Sequence, residues 1–547
     1  MDYRRIVSVA LFVSLLFSSC MHKQQRISTK TELVKFLDSL EQQYEGACRQ
    51  MGVANWNSYS KEGPYDLDAA KQEFANIFSD TTARKIIDDW RAQSSSLADP
   101  LLARRLELWH RCFIGGAIYA DPDVAKLENA LQQRITNFKF MYNASPTTRA
   151  KINIALREER RQSVRRKLWS VPGKLSAAAA DDLIKLVKLR NKKAKSLGFS
   201  NYYSLALSLQ AVDEEWLLAT LNSLEEKTRP EFEQFITTFR KRLRVKQFGA
   251  WDFEYALREG ASLPDKYFPS DSVFKIIHRF QKGIGFAVDS LRIKEVVKDI
   301  PYNGLSLAIH IPSDSRFLLN PTKGKGFYGV AFHEYGHALK AVHTDVEYAI
   351  LKGYEWIPGA QCAAYEEGIA DMHAEFTDDS LWLAMFTKAK SKEIERYVQE
   401  RGLPSLYRLR RLLKDFFIEY EMYRDPGQDM AAVERAMFKK YLLVDPGKNE
   451  PHQYAASMWY TSYPCYYQNY VLSTMIATQL QEALTSKFGS EKLKNPKVAP
   501  WIIQYLYCGG ETEEWTSRIR SATGKSLEPG PYLRKLGIES MRLISRN

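Results

Sequence analysis

The stretch "FYGVAFHEYGHALKAVH", residues 327–343, places His333, Glu334, His337 and His343 within eleven residues. Its flanks, Val330-Ala331-Phe332 and Ala338-Leu339, are apolar, and no proline interrupts it. The spacing therefore predicts a buried helix. Residues four apart lie one above the other on a helix, so His333 and His337 point two imidazoles at one spot. A neutral imidazole is a good zinc ligand, and a site with three protein ligands keeps a fourth position for water. Glu334, beside the first histidine, is placed to take a proton from that water. The bland alternative is a solvated helix with paired charges. The apolar flanks oppose it, because a charge buried without a task is costly. One Zn2+ ion is the expected cofactor.

The third ligand is open between two candidates. His343 has the spacing used where a glycine breaks the helix and swings a third histidine back, but Lys340 stands at the glycine position. If the helix continues, His343 lies about 9 Å further along the axis than His337, at ~1.5 Å per residue, and reads as a helix-end histidine. The alternative lies in "AAYEEGIADMHAEF", 363–376. Glu367 and Asp371 are four apart on one face. One can bind zinc while the other accepts a hydrogen bond from a ligand histidine. Glu366 points about 100° away and has no such partner in this reading.

These blocks carry a resemblance. H-E-x-x-H is the arrangement of zinc peptidases. "FHEYGHA" followed by "YEEGIAD" is similar to the angiotensin-converting-enzyme family of gluzincins, which is related to the oligopeptidases. The resemblance implies Glu367 as the zinc-binding glutamate and Asp371 as the carboxylate behind a ligand histidine. "YPCYYQNYVLSTMIATQLQEAL", 463–484, resembles that family's tyrosine-rich helix. By this likeness Tyr470 donates to the oxyanion, and Tyr467 holds the C-terminal carboxylate of the substrate. "LRNKKAKSLGFSNYYSLALS", 189–208, and "VANWNSYSKEG", 53–63, resemble further helices of the family. One departure stands out. Relatives carry a histidine ten to twelve residues before the catalytic tyrosine, as a second oxyanion donor; here Met458, Trp459 and Tyr460 occupy that spacing. His452 or Tyr460 takes the role, or the donor is missing. A histidine after Pro451 is otherwise a surface loop residue.

The elements that must position these residues are mostly helical. Candidate helices cover 31–50, 66–93, 97–116, 121–142, 176–197, 213–243, 327–343, 365–376, 405–423 and 466–488. "GLSLAIHIPSDSRFLLN", 304–320, alternates Leu305, Leu307, Ile309 and Ile311 and reads as a strand beside the zinc helix, against which an extended peptide can pair, with an ordinary small hairpin as the bland alternative. The 547 residues, 45% hydrophobic and 26% charged, suit a large folded core. Length alone suggests several domains. The continuous helical patterning, with no Gly/Ser linkers or repeats, argues instead for one mainly α unit over 31–547: a two-lobed helical peptidase with a deep central cleft and a small β element beside the zinc helix.

"MDYRRIVSVALFVSLLFSSC" has Arg4 and Arg5, then an apolar run from Ile6 to Phe17 that is too short to span a bilayer. Residues 1–19 read as an export signal. Ser18-Ser19-Cys20 resembles a bacterial lipobox, with Cys20 the lipidated first residue and 20–30 a tether. This places the protein in the periplasm or at the outer membrane, held by a lipid anchor. The other cysteines, Cys48, Cys112, Cys362, Cys465 and Cys508, form no C-x-x-C pair. Export permits disulfides, and sequence leaves their pairing open.

The net charge is +13, and +12 without residues 1–19. Much of the excess lies in "LREERRQSVRRKLW", 156–169, and "FRKRLRVKQF", 239–248, read as solvated helix faces. No nucleic-acid module is present. The expected partners are peptide substrates and a membrane, with the chain a monomer. The expected activity is zinc-dependent hydrolysis of short peptides. Peptidyl-dipeptidase action is implied by the resemblance, with a broader oligoendopeptidase as the alternative. A non-catalytic peptide-binding lipoprotein is a third reading. Glu334 argues against it, because a structural zinc needs no general base.

Overall fold

The computed structural model describes residues 27–258 and 262–537. The export signal, Cys20 and most of the tether lie outside these residues. The first described helix, α1 (Lys30–Ser60), starts on a reciprocal cap: the Thr29 side chain accepts from the Glu32 N–H, and the Glu32 carboxylate accepts from the Thr29 N–H. Helix α2 (Pro100–Tyr119) starts on Asp99 with proline in its first turn. The segment read as one helix over 66–93 is two, Leu67–Phe78 and Thr81–Arg91. Asp80 divides them, because its carboxylate caps the N–H groups of Thr82 and Ala83. The segment read as helix over 121–142 ends at Thr136. Its last residues form β1 (Phe140–Tyr142), which pairs with β2 (Ser145–Thr147) around left-handed Asn143 and Ala144.

Helices α3 (Gly173–Ser196) and α4 (Glu214–Arg242) lead to a three-stranded sheet of β3 (Ile293–Val297), β4 (Gly304–His310) and β5 (Asp314–Leu319). The expected strand over 304–320 is a hairpin, β4 antiparallel to β5, turning at 311–313. Strand β3 was not anticipated; it pairs parallel to β5 on the other side, so β4 is an edge. Then follow α5 (Gly324–His343), α6 (Ala363–Phe376), α7 (Gly402–Arg424) and α8 (Tyr467–Phe488). Among the described residues no helix is long and apolar enough to cross a membrane.

Two main apolar clusters make two lobes. One unites α3 to α8. The other joins α1 and α2 to Ala349–Ile357 and to the end of α5 at Ala341. A smaller cluster around Trp56 ties α1 to the sheet through Leu307, Ile309 and Leu318. The basic run 156–169 is not wholly a solvated face. Arg165 is 1% exposed, and its guanidinium donates to Asp252 at 2.6 and 3.0 Å. A lone charge there would be expensive, and the pairing offsets that cost. The described cysteines carry no disulfide: four are buried and Cys508 is half-buried.

Candidate metal centre

Helix α5 carries both histidines as the spacing predicts, and it is crossed closely by α6. A Cβ on Gly336 would meet Ala370 Cα at 3.0 Å, and one on Gly368 would meet the Ile476 side chain of α8 at 2.7 Å. The absence of side chains at these two points lets α5, α6 and α8 stack at short range. That contact brings the α6 carboxylates onto the α5 histidines.

His333 and His337 face each other, Nε2 to Nε2, at 3.2 Å. Glu367 Oε2 lies 3.4 Å from His333 Nε2. One ligand atom from each of these three residues falls within 4.8 Å of the others. Asp371 Oδ1 lies 3.0 Å from His333 Nδ1, and Asp371 Oδ2 accepts from the Ser473 hydroxyl of α8 at 2.9 Å. With Nδ1–H given to Asp371, a neutral His333 turns its Nε2 lone pair toward a second imidazole nitrogen and a carboxylate. Three electron-rich atoms converging in this way repel one another unless a positive charge lies among them. The donor set of two imidazoles and one carboxylate therefore fits a cation, and matches zinc in type.

The electrostatics agree. Burial opposes a charge on His333, yet its bonds to Asp371 and Glu367 outweigh burial and hold the imidazole well above its ordinary value. Burial, and then His333, depress His337 to about 4. Burial would raise Glu367, but the His333 hydrogen bond and charge carry it below the usual carboxylate range. Asp371 behaves alike, with Arg408 and Ser473 adding to the effect of His333. The carboxylates around His333 thus favour a positive charge at this place.

Glu334 is 8% exposed and points toward β4. It accepts the Ser306 N–H, and burial pushes its carboxyl up to about 7. A Cβ on Gly304 would meet Glu334 Oε1 at 2.5 Å, so the strand backbone lies close over this carboxylate. The edge strand therefore lies directly on the candidate base. Gly304, Leu305, Ser306 and Ala308 line one wall of a cavity of about 230 Å³ that also contains His333, Glu334, His337 and Glu367.

The other singled-out residues are placed as follows. His343 ends α5 in regular helix, its Nδ1 against the Leu339 carbonyl oxygen at 2.8 Å and its ring on Phe286, outside the ligand group. Lys340 continues the helix and donates to Glu366. Glu366 thus lies outside the ligand group and pairs with the neighbouring helix. Tyr467 turns away from the cavity to the Ser457 hydroxyl at 3.3 Å. Tyr470 sits half-buried beside the ligands, its ring edge-on to Tyr466 and Trp459, and its hydroxyl makes no hydrogen bond among the described residues. Tyr466 was not singled out. Its hydroxyl donates to Glu367 Oε1 at 2.9 Å, and its ring lines the cavity. The clue in the sequence is its spacing of four from Tyr470, which puts both rings on one face. The structure brings neither second-donor candidate to the cavity. His452 Nδ1 bonds the Ser176 hydroxyl at 2.7 Å and its ring stacks on Tyr454. The Tyr460 hydroxyl donates to the Asp415 carbonyl oxygen at 3.0 Å.

Residues 155–282 match the family model described as peptidase family M3. That segment spans α3, α4 and their neighbours and ends before the sheet and the metal centre. No curated protein sequence matches the chain. Solved structures share its fold. Metallocarboxypeptidase 1 of Trypanosoma cruzi is 15% identical and aligns over 92% of this chain and 98% of its own, with a TM-score of 0.62. The M32 carboxypeptidase of Deinococcus radiodurans R1 is 14% identical, with the same coverage and a TM-score of 0.60. PZ peptidase A with an inhibitor is 16% identical, aligning over 95% of this chain and 94% of that one, with a TM-score of 0.66. The chain thus has the mainly α fold of these peptidases, a segment resembling peptidase family M3, and a His-His-Glu group where α5 and α6 cross.

Proposed function

We propose that this protein is a zinc-dependent peptidase that cuts short peptides in the cavity between its lobes. The observation that carries this reading is the convergence of His333, His337 and Glu367 beside a buried Glu334 under the edge strand β4. When bound, the ion would polarise the scissile carbonyl and lower the pKa of water. The chain's own residues do the rest. Glu334 accepts the proton from the attacking water and passes it to the leaving amine. Asp371 fixes the tautomer and orientation of His333. Strand β4 offers backbone groups to an extended peptide. The two tyrosines of the α8 face, Tyr466 and Tyr470, stand over Glu367. Release of C-terminal dipeptides is the finer reading. The M3-like segment favours a broader oligopeptidase equally. Zinc content and digestion of a peptide mixture, measured on the same preparation, test both readings. A metal-free protein that cuts nothing overturns the proposal.

The two tyrosines are separable. Tyr470→Phe removes a hydroxyl with no hydrogen-bond partner among the described residues, so its effect falls on the oxyanion. Turnover drops about a hundredfold, near 3 kcal/mol, with zinc content unchanged. Tyr466→Phe removes the hydrogen bond behind Glu367 and weakens zinc about 10–100-fold. Turnover and zinc affinity of the two variants, side by side, check this assignment.

We also propose that Cys20 is lipidated and that the protein is exported and membrane-anchored, on the strength of residues 1–20. The wild type should partition with membranes, and Cys20→Ser should become soluble or stay unprocessed. A soluble wild type with a mature start elsewhere removes the anchor.

A further inference from the structure

The charges of the metal cavity are unevenly partnered. Besides Glu334 and Glu367 it contains two lysines and two more carboxylates, Glu355 and Glu366. Both lysines are taken. Lys340 donates to Glu366 and stands 3.9 Å from Glu511. Lys352 is bonded at 2.5 Å to Glu45 of α1. Glu366 is thereby neutralised. Glu355 is left exposed to the cavity, with no hydrogen bond or ion pair among the described residues. It belongs to the segment between α5 and α6, which lines the same cavity as β4.

We propose that Glu355 selects peptides carrying a cationic group, an ammonium or a guanidinium, on the residue seated between β4 and the 352–361 segment. The inference rests on the peptidase reading for its substrate class, but Glu355 is not itself in the ligand group. A carboxylate open to ligand and lacking a cation of its own gains a charge-assisted bond when one arrives. A neutral or acidic side chain at that place gives no such bond, and an acidic one meets like charge from Glu355.

The test uses alanine-based fluorescent peptides in which one lysine is moved residue by residue along the chain, each made with a free and with an acetylated N-terminus. In the zinc-loaded wild type, kcat/KM should favour one lysine position over alanine by about tenfold, the size of one charge-assisted hydrogen bond. Glu355→Gln should abolish that ratio, and Glu355→Lys should invert it in favour of glutamate at the same position. A preference that survives acetylation assigns the cation to a side chain; one that vanishes assigns it to the peptide's own amine. Binding is read separately by fluorescence anisotropy in Glu334→Gln, with and without Glu355→Gln. If the wild type cleaves none of the peptides, the peptidase reading falls and the binding comparison alone decides the role of Glu355. Equal affinity for lysine and alanine peptides, or a lysine preference that persists in Glu355→Gln, overturns the inference.

Discussion

Glu334→Gln is expected to keep its zinc and lose nearly all peptide hydrolysis. The ligand atoms come from His333, His337 and Glu367, and none of them is altered. The amide is nearly the size of the carboxylate, so it fits under Gly304, and its oxygen still accepts the Ser306 N–H. It cannot take a proton. General-base catalysis by a positioned side chain contributes about 10²–10⁴-fold, and a fall of that size in turnover is expected. Bound zinc and turnover measured on one preparation decide it. A variant with full activity and full zinc removes Glu334 as the base. A variant that has lost zinc shows that Glu334 supports the site rather than acting in the reaction.

The second large effect separates the two candidate third ligands. Glu367→Ala should strip zinc, whereas His343→Ala should leave it bound. In the fold, Glu367 reaches His333 while His343 is tied to the Leu339 carbonyl oxygen at the far end of α5. The loss in Glu367→Ala should exceed the roughly 10–100-fold cost typical of removing a partner behind a ligand. Asp371→Asn is such a removal and supplies the internal scale. Zinc affinity measured by competition with a chelator gives all three values. Zinc lost from His343→Ala and retained by Glu367→Ala would reverse the assignment. Circular dichroism on each variant separates a lost ligand from a lost fold.

Within single helices the sequence alone was decisive. His333 and His337, and again Glu367 and Asp371, are paired by a spacing of four, which depends only on helical pitch. Lys340 in place of a helix-breaking glycine likewise kept α5 straight and carried His343 away. The tertiary structure decided what depends on how separate elements cross. The approach of α6 to α5 at Gly336, and of α8 to α6 at Gly368, sets which faces meet. It put Tyr466 rather than Tyr467 on the cavity wall, gave Glu366 a lysine partner and left Glu355 without one among the described residues. Strand β3 has no local signature in the sequence, because its parallel pairing to β5 joins segments that no local turn connects. His452 read as a possible donor because chain distance from Tyr470 says nothing about direction; its ring is held by Ser176 and Tyr454 instead. Helical pitch orders neighbours along one axis, whereas the contacts between axes depend on the packing of the whole chain.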